Sequence, residues 1–166
     1  MAKTFCITFL ILASILVAGC CPPQGPMKQL NGPVDTALFE PIFLNFTKDE
    51  STTVLFKEHT TIYKNDELKQ WGLFVITDEA NYLVDWDRNA YEYRFIYKIK
   101  HDEIDSIDEK KIVRKWLPDS DLLIIRGKNG IETGFALNGR RAARNFIEKN
   151  IKAVATATKT VKGTDK

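Results

Sequence analysis

The sequence predicts a mainly β fold of the α+β class: seven strands forming a bent sheet or barrel, capped by one C-terminal amphipathic helix. Three observations carry this. From Ser51 onward apolar residues recur with a period of two, the mark of half-buried strands. Short polar clusters, among them Gly127-Lys128-Asn129-Gly130, cut these runs to strand length and supply turn chemistry, since Asn-Gly readily takes positive backbone angles. After Asn138, a reasonable N-cap, the period changes, and Ala143, Phe146, Ile147, Ile151 and Val154 recur at helical spacing.

The expected elements follow in order. Residues 53–63 form a first strand, ended by Lys64-Asn65-Asp66-Glu67. Trp71-Gly72-Leu73-Phe74-Val75-Ile76-Thr77 is a second, apolar enough to be central, and Tyr82-Leu83-Val84-Asp85-Trp86 a third. In the fourth, Tyr91, Tyr93, Phe95, Tyr97 and Ile99 alternate with mostly charged residues, which predicts one aromatic face. Residues 111–117 are read as the fifth strand, 122–126 as the sixth and 131–137 as the seventh. The domain therefore covers residues 51–154, and residues 155–166, small and basic without periodicity, are expected to fray.

Length and charge bound the function. A chain of 166 residues holds one ordinary domain and excludes large multidomain enzymes. Apolar residues at 44% and charged residues at 28% allow a packed core and exclude a disordered tail. A net charge of only +2 gives no electrostatic case for nucleic acid.

The N-terminus reads as an address. Lys3 precedes an uncharged run, residues 5–18, too short for a bilayer span of about 20 residues but suited to a signal-peptide core. Val17-Ala18-Gly19-Cys20 resembles a bacterial lipobox. That resemblance implies cleavage after residue 19, a diacylglyceryl thioether on Cys20 and an N-acyl chain, hence a lipoprotein of the cell envelope, at the outer membrane in a Gram-negative source. Several acyl chains at about 0.8 kcal/mol per buried methylene would anchor it permanently. The alternative is a plain secretory signal followed by a chance cysteine. Removing residues 1–19 takes one cation and no acid, leaving 23 − 22, or +1. Cys6 leaves with the leader and Cys20 is consumed, so only Cys21 remains, as an inert thiol, an acylation site or a link to a second chain. No disulfide can staple the domain.

Residues 20–33 concentrate Pro and Gly and read as a lipidated tether, extending on the order of 40 Å at about 3.1 Å per residue. Residues 34–50 read as a docking segment: Leu38, Phe39, Ile42, Phe43 and Phe46 make a helical stripe with Pro41 inside it, so a short helix or a turn is expected.

Seven strands and a closing helix are similar to the pleckstrin-homology-like fold and its bacterial PH-like and GRAM-like relatives. The resemblance spans residues 53–151 and rests on Gly72 to Asp78, on Tyr82-Leu83-Val84, and on Ile99 to Ile104 with Ser106-Ile107. Ala80-Asn81 departs from it, since a basic residue is common there.

Catalytic chemistry is sparse. His59 and His101 are the two histidines, read as surface or strand residues, and no Gly-x-Ser-x-Gly elbow accompanies them. Asp85, Asp87 and Asn89 open with the spacing of a calcium loop, but Ala90 stands where Gly is needed and Ile96 where a bidentate Glu is needed, so a polar turn is expected and no metal. Asp102, Glu103, Asp105, Asp108 and Glu109 read as a solvated acidic edge around two core anchors, Ile104 and Ile107. Lys57, Lys64 and Lys69 are offset by Glu58, Asp66 and Glu67, which does not support an inositol-phosphate pocket. Arg140, Arg141 and Arg144 crowd the helix start, against its macrodipole, and with Lys152 form a candidate face for anionic lipid, or simply a solvated one.

The reading that results is a membrane-anchored, non-catalytic module without a cofactor, offering a sheet edge or the groove beside its helix to a protein or peptide. Envelope-lipid binding through the basic helix face is the alternative, and an envelope hydrolase a third. Trp71, Trp86 and Trp116 are the aromatics to follow.

Overall fold

The computed structural model describes residues 25–48, 52–113 and 119–162, with side chains described to residue 157. The leader, Cys20 and Trp116 lie outside the described residues. A short helix, α1 (Phe39–Thr47), precedes seven strands: β1 (Val54–Lys64), β2 (Glu67–Thr77), β3 (Ala80–Asp87), β4 (Glu92–Lys100), β5 (Ile104–Ile112), β6 (Ser120–Gly127) and β7 (Glu132–Phe135). A long helix, α2 (Arg140–Lys162), ends the chain. The strands form one antiparallel sheet in the order β4-β3-β2-β1-β7-β6-β5. The expected α+β class is therefore present, but the sheet does not close: β4 and β5 are its two edges.

The sheet folds over because β1 pairs with β2 along nearly its whole length and then, at Ile62 and Tyr63, with Phe135 and Gly134 of β7. A register shift between Ile62 and Tyr63 bends the strand where, still paired with β2, it also takes up β7 on its other edge. Asn65 and Asp66, both at positive φ, make the tight two-residue turn into β2.

The inner face holds the main core. Phe74, Ile76, Leu83, Leu123, Ile125 and Phe135 meet Ala143 and Ile147 of α2, all fully buried, with Phe146 and Ile151 packed alongside. The helix thus docks through the residues its spacing predicts. It starts at Arg140 rather than at Asn138, and it runs through residues expected to fray, to Lys162.

A second apolar layer lies on the opposite face of β2, β3 and β4. Val34, Phe39 and Phe43 cover Leu73, Val75, Tyr82, Val84, Trp86 and Tyr93. The docking segment is a helix, and Pro41 fits because it is the third helical residue, where no intrahelical partner exists for the N–H that proline lacks. The end of the expected tether is also on the sheet: Gly32, Pro33 and Val34 are buried, and Met27 O accepts the Trp86 indole N–H at 3.1 Å. Gly32, at φ +67°, lies so close to the Trp86 ring that a Cβ there would sit 2.4 Å from it.

Two strands differ from the sequence expectation. The fifth is Ile104–Ile112, so it starts seven residues before the expected residue 111, and residues 114–117 of that expectation lie outside the described residues: the acidic stretch is itself an edge strand, with Ile104 and Ile107 facing the core as expected. In β4 the aromatic alternation is split between faces. Val84 pairs with Phe95 but Leu83 with Tyr97, so Ile96 is an extra residue. Tyr93 and Phe95 consequently face outward beneath α1, while Tyr97 and Ile99 turn inward, because one inserted residue inverts every later side chain.

Candidate functional site

The unclosed sheet leaves a cleft of about 470 Å³ beside the inner end of β4. Tyr97, Lys98 and Ile99 contribute one wall; Asp102 and Glu103, from the single helical turn after β4, border one end; Gly127 to Asn129, Ile131 and Thr133 make the other wall; Lys64 stands at the rim. The bulge in β4 creates this site by aiming Tyr97 inward, where its ring meets Phe135 edge-on at 5.2 Å. Burial and, secondarily, the charge of Glu103 push the Tyr97 phenol well above its ordinary range, so it is a neutral donor and acceptor at any physiological pH.

The opposite wall is the Asn-Gly turn the sequence predicts. Gly130 adopts φ +79°, its N–H donates to Gly127 O at 2.8 Å, and Asn129 Oδ1 accepts the Ile131 N–H at 3.0 Å. Lys128 N–H donates to Glu103 O at 2.8 Å and so ties this turn to the helical turn that carries Glu103. Glu103 is itself fixed, with Oε2 accepting the Lys100 N–H at 2.9 Å. Ile131 stands 58% exposed on the rim, an apolar side chain with no core role. Lys98 turns its amine away, over the Tyr82 ring at 5.2 Å, so the rim charges are Lys64 and Lys128 against Asp102 and Glu103. An apolar floor with a mixed polar rim suits an elongated ligand with both characters.

The histidines are elsewhere. His101 is buried, not a surface residue: its Nε2 lies 2.9 Å from Thr77 O, and Asn150 of α2 donates to the same oxygen at 3.0 Å. Burial lowers its pKa, only partly opposed by the Thr77 carbonyl and by Asp78 and Asp102, which keeps the ring neutral. His59 stacks on Trp71 at 4.7 Å on the outer face, its pKa likewise lowered by burial against Asp35 and Glu58. These contacts place both rings in packing. Trp86 is covered by the N-terminal segment, whereas Trp71 is 43% exposed.

The candidate basic face is dispersed. Arg140 donates to Leu137 O at 2.8 Å and reaches Asp121 at 3.3 Å; Arg144 pairs with Glu148 at 2.7 Å and with Glu109 of β5 at 3.6 Å. Arg141 and Lys152 are exposed. The helix start is capped by a residue the sequence could not nominate: the Glu58 carboxylate accepts the Asn138 and Gly139 N–H groups at 2.6 and 2.9 Å from eighty positions away. Asp85 and Asp87 close β3 and the turn is residues 88–91, with Asp87 Oδ1 accepting the Asn89 and Ala90 N–H groups and Arg94 bridging Asp85 and Asp87. Among the described residues no three His, Cys, Asp or Glu side chains are grouped to hold a metal, and no helix is long and apolar enough to cross a membrane.

Comparison with known proteins adds little. No protein-family model matches the chain, and no curated protein does. A solved structure, the C-terminal domain of an unknown protein from Leishmania infantum, is similar to 68% of this chain and 97% of its own, at 17% identity and a TM-score of 0.49.

Proposed function

We propose that the protein is a lipid-anchored module of the bacterial cell envelope, held by Cys20 and, on the resemblance to PH-like domains, binding a protein or peptide without transforming it. The observation that carries the binding site is the unclosed sheet. β4 is an edge strand, and its inner end borders a cleft with an apolar floor. An extended peptide would pair with the β4 backbone for affinity and place alternate side chains beside Tyr97, Ile99 and Ile131 for selectivity. His101 is packed against Thr77 and Asn150 and His59 against Trp71, and neither lines the cleft, which supports binding rather than general-base chemistry there.

The groove between α2 and β5 is the weaker site, because Arg144 and Glu109 already bridge it. The basic helix face is weaker for the same reason, since Arg140 and Arg144 are matched by acids. A photocrosslinker at Ile131 in intact cells tests the site against the same group at Arg141. A discrete adduct formed at 131, absent at 141 and lost when Tyr97 is replaced by Ala supports it. Equal adducts at both positions overturn it. Cys20→Ala should move the protein from the membrane to the soluble fraction; retention on the membrane overturns the anchoring.

A further inference from the structure

We infer that the end of the domain formed by the β3–β4 turn and the start of the N-terminal segment is a membrane-docking surface, which stands the peptide cleft upright and away from the bilayer. The inference rests on the anchoring at Cys20 and goes beyond it. Covalent reach sets the geometry: Gly25 is five residue steps from Cys20, so a fully extended chain between them spans at most about 18 Å. Gly25 is therefore held within about 18 Å of the lipid surface rather than some 40 Å above it.

What those residues present suits an anionic bilayer. Gly25 O accepts the Lys28 N–H at 2.9 Å, and Lys28 shares a polar hollow of about 550 Å³ with Trp86, Asp87, Arg88, Asn89, Tyr91 and Arg94. Among these lining residues three cations face one acid, and Arg94 is taken up by Asp85 and Asp87. Lys28 and Arg88 are both exposed. Tyr91 is 43% exposed beside them. Leu30 is 68% exposed on the loop whose two ends, Met27 and Gly32, grip Trp86. Tyrosine, an apolar loop residue and long cations are the side chains that partition at the headgroup level. The cleft lies at the other end of β4, about 20–25 Å along the strand from Tyr91, clear of the surface and open to a partner.

The test uses the full lipidated chain, with Cys21→Ser, in vesicles of phosphatidylethanolamine and phosphatidylglycerol that carry a nitroxide on the headgroup. A fluorophore is attached at Leu30→Cys, at Tyr91→Cys or, in the cleft, at Lys128→Cys. Loss of fluorescence at 30 and 91 but not at 128 is expected. Lys28→Gln with Arg88→Gln should reverse it: each cation favours the docked orientation roughly fivefold, so losing both costs roughly 25-fold. Equal quenching at all three positions, or quenching at 128 alone, overturns the orientation, as does a surface covered in cells by protein while 30 and 91 stay bright in vesicles. Co-flotation of the same samples is scored separately. A chain that fails to float disproves the anchor, whereas one that floats with bright labels at 30 and 91 disproves the docking surface alone.

Discussion

Replacing Gly32 by Ala tests whether the N-terminal segment belongs to the domain. Gly32 has φ +67°, and its missing Cβ would lie 2.4, 2.7 and 2.8 Å from three atoms of the Trp86 indole. A side chain in the left-handed region costs roughly 1–2 kcal/mol. The steric part adds to it: carbon atoms rest about 3.5–4.0 Å apart, so the loop or the indole must shift by more than about 1 Å. Overpacking of this kind costs roughly 1–3 kcal/mol. The sum, about 2–5 kcal/mol, is a large share of the 5–15 kcal/mol typical of a domain. Urea unfolding followed by tryptophan fluorescence should show the midpoint lowered with an unchanged slope. In a Trp86→Val background the overlap disappears, and only the backbone part, about 1–2 kcal/mol, should remain. An unchanged midpoint, or the same loss in both backgrounds, would mean that the loop does not lie on the indole.

Three further outcomes follow from the geometry. Glu58→Ala should cost about 1–2 kcal/mol in urea unfolding, because two N–H groups at the start of α2 lose a charged acceptor at the positive end of the helix; a change below about 0.3 kcal/mol would deny the cap. Ile147→Ala, at a fully buried position facing the sheet, should cost about 2–5 kcal/mol, and preserved stability would show that α2 does not close the core. Burial depresses the pKa of His101 and His59 in the folded state below the 6.5 of the unfolded chain, so the unfolded chain binds more protons as the solution is acidified. The contribution of these two rings to stability should therefore be complete above about pH 6.5, decline as the pH falls below it, and level off once the pH has passed the folded-state values. His101→Gln should flatten that decline, and a profile indifferent to the substitution would refute its buried, neutral state.

What was legible in the sequence is what local spacing encodes. Phe146, Ile147 and Ile151 announce the buried face of α2, and Gly127 to Gly130 announce their turn, because both depend on residues within one or two turns of each other. The fifth strand was hidden by charge: an edge strand keeps one side in water, so Asp105, Asp108 and Glu109 mask the Ile104 and Ile107 spacing that faces inward. The cleft was hidden by a single extra residue. Nothing around Ile96 marks a bulge, yet the bulge sends Tyr97 to the face opposite Phe95 and so makes the inner wall of the site. Glu58 as a helix cap and Asn150 beside His101 were beyond local reading altogether, since each partnership joins positions more than forty residues apart.

The extent of the domain follows from the burial of β2 and β3. A sheet covered on one face reads as alternation, but Leu73 to Thr77 is continuously buried, as is Ala80 to Val84. Such runs need cover on both sides. One side is α2 with the inner core; the other is residues 27–46, which place Phe39 and Phe43 against Tyr82 and Tyr93 at 5.5–6.0 Å. A linker free to extend could not supply that second layer, and without it Tyr82, Val84, Trp86 and Tyr93 would form one exposed apolar patch. The docking segment, residues 34–50, thus supplies a structural layer of the sheet through its helix, and the end of the expected tether, from Met27 to Pro33, joins it at Trp86. The same contacts that bury the aromatics draw the first described residues to the β3–β4 end, so the need to cover the sheet's outer face determines which end of the domain any N-terminal anchor would hold.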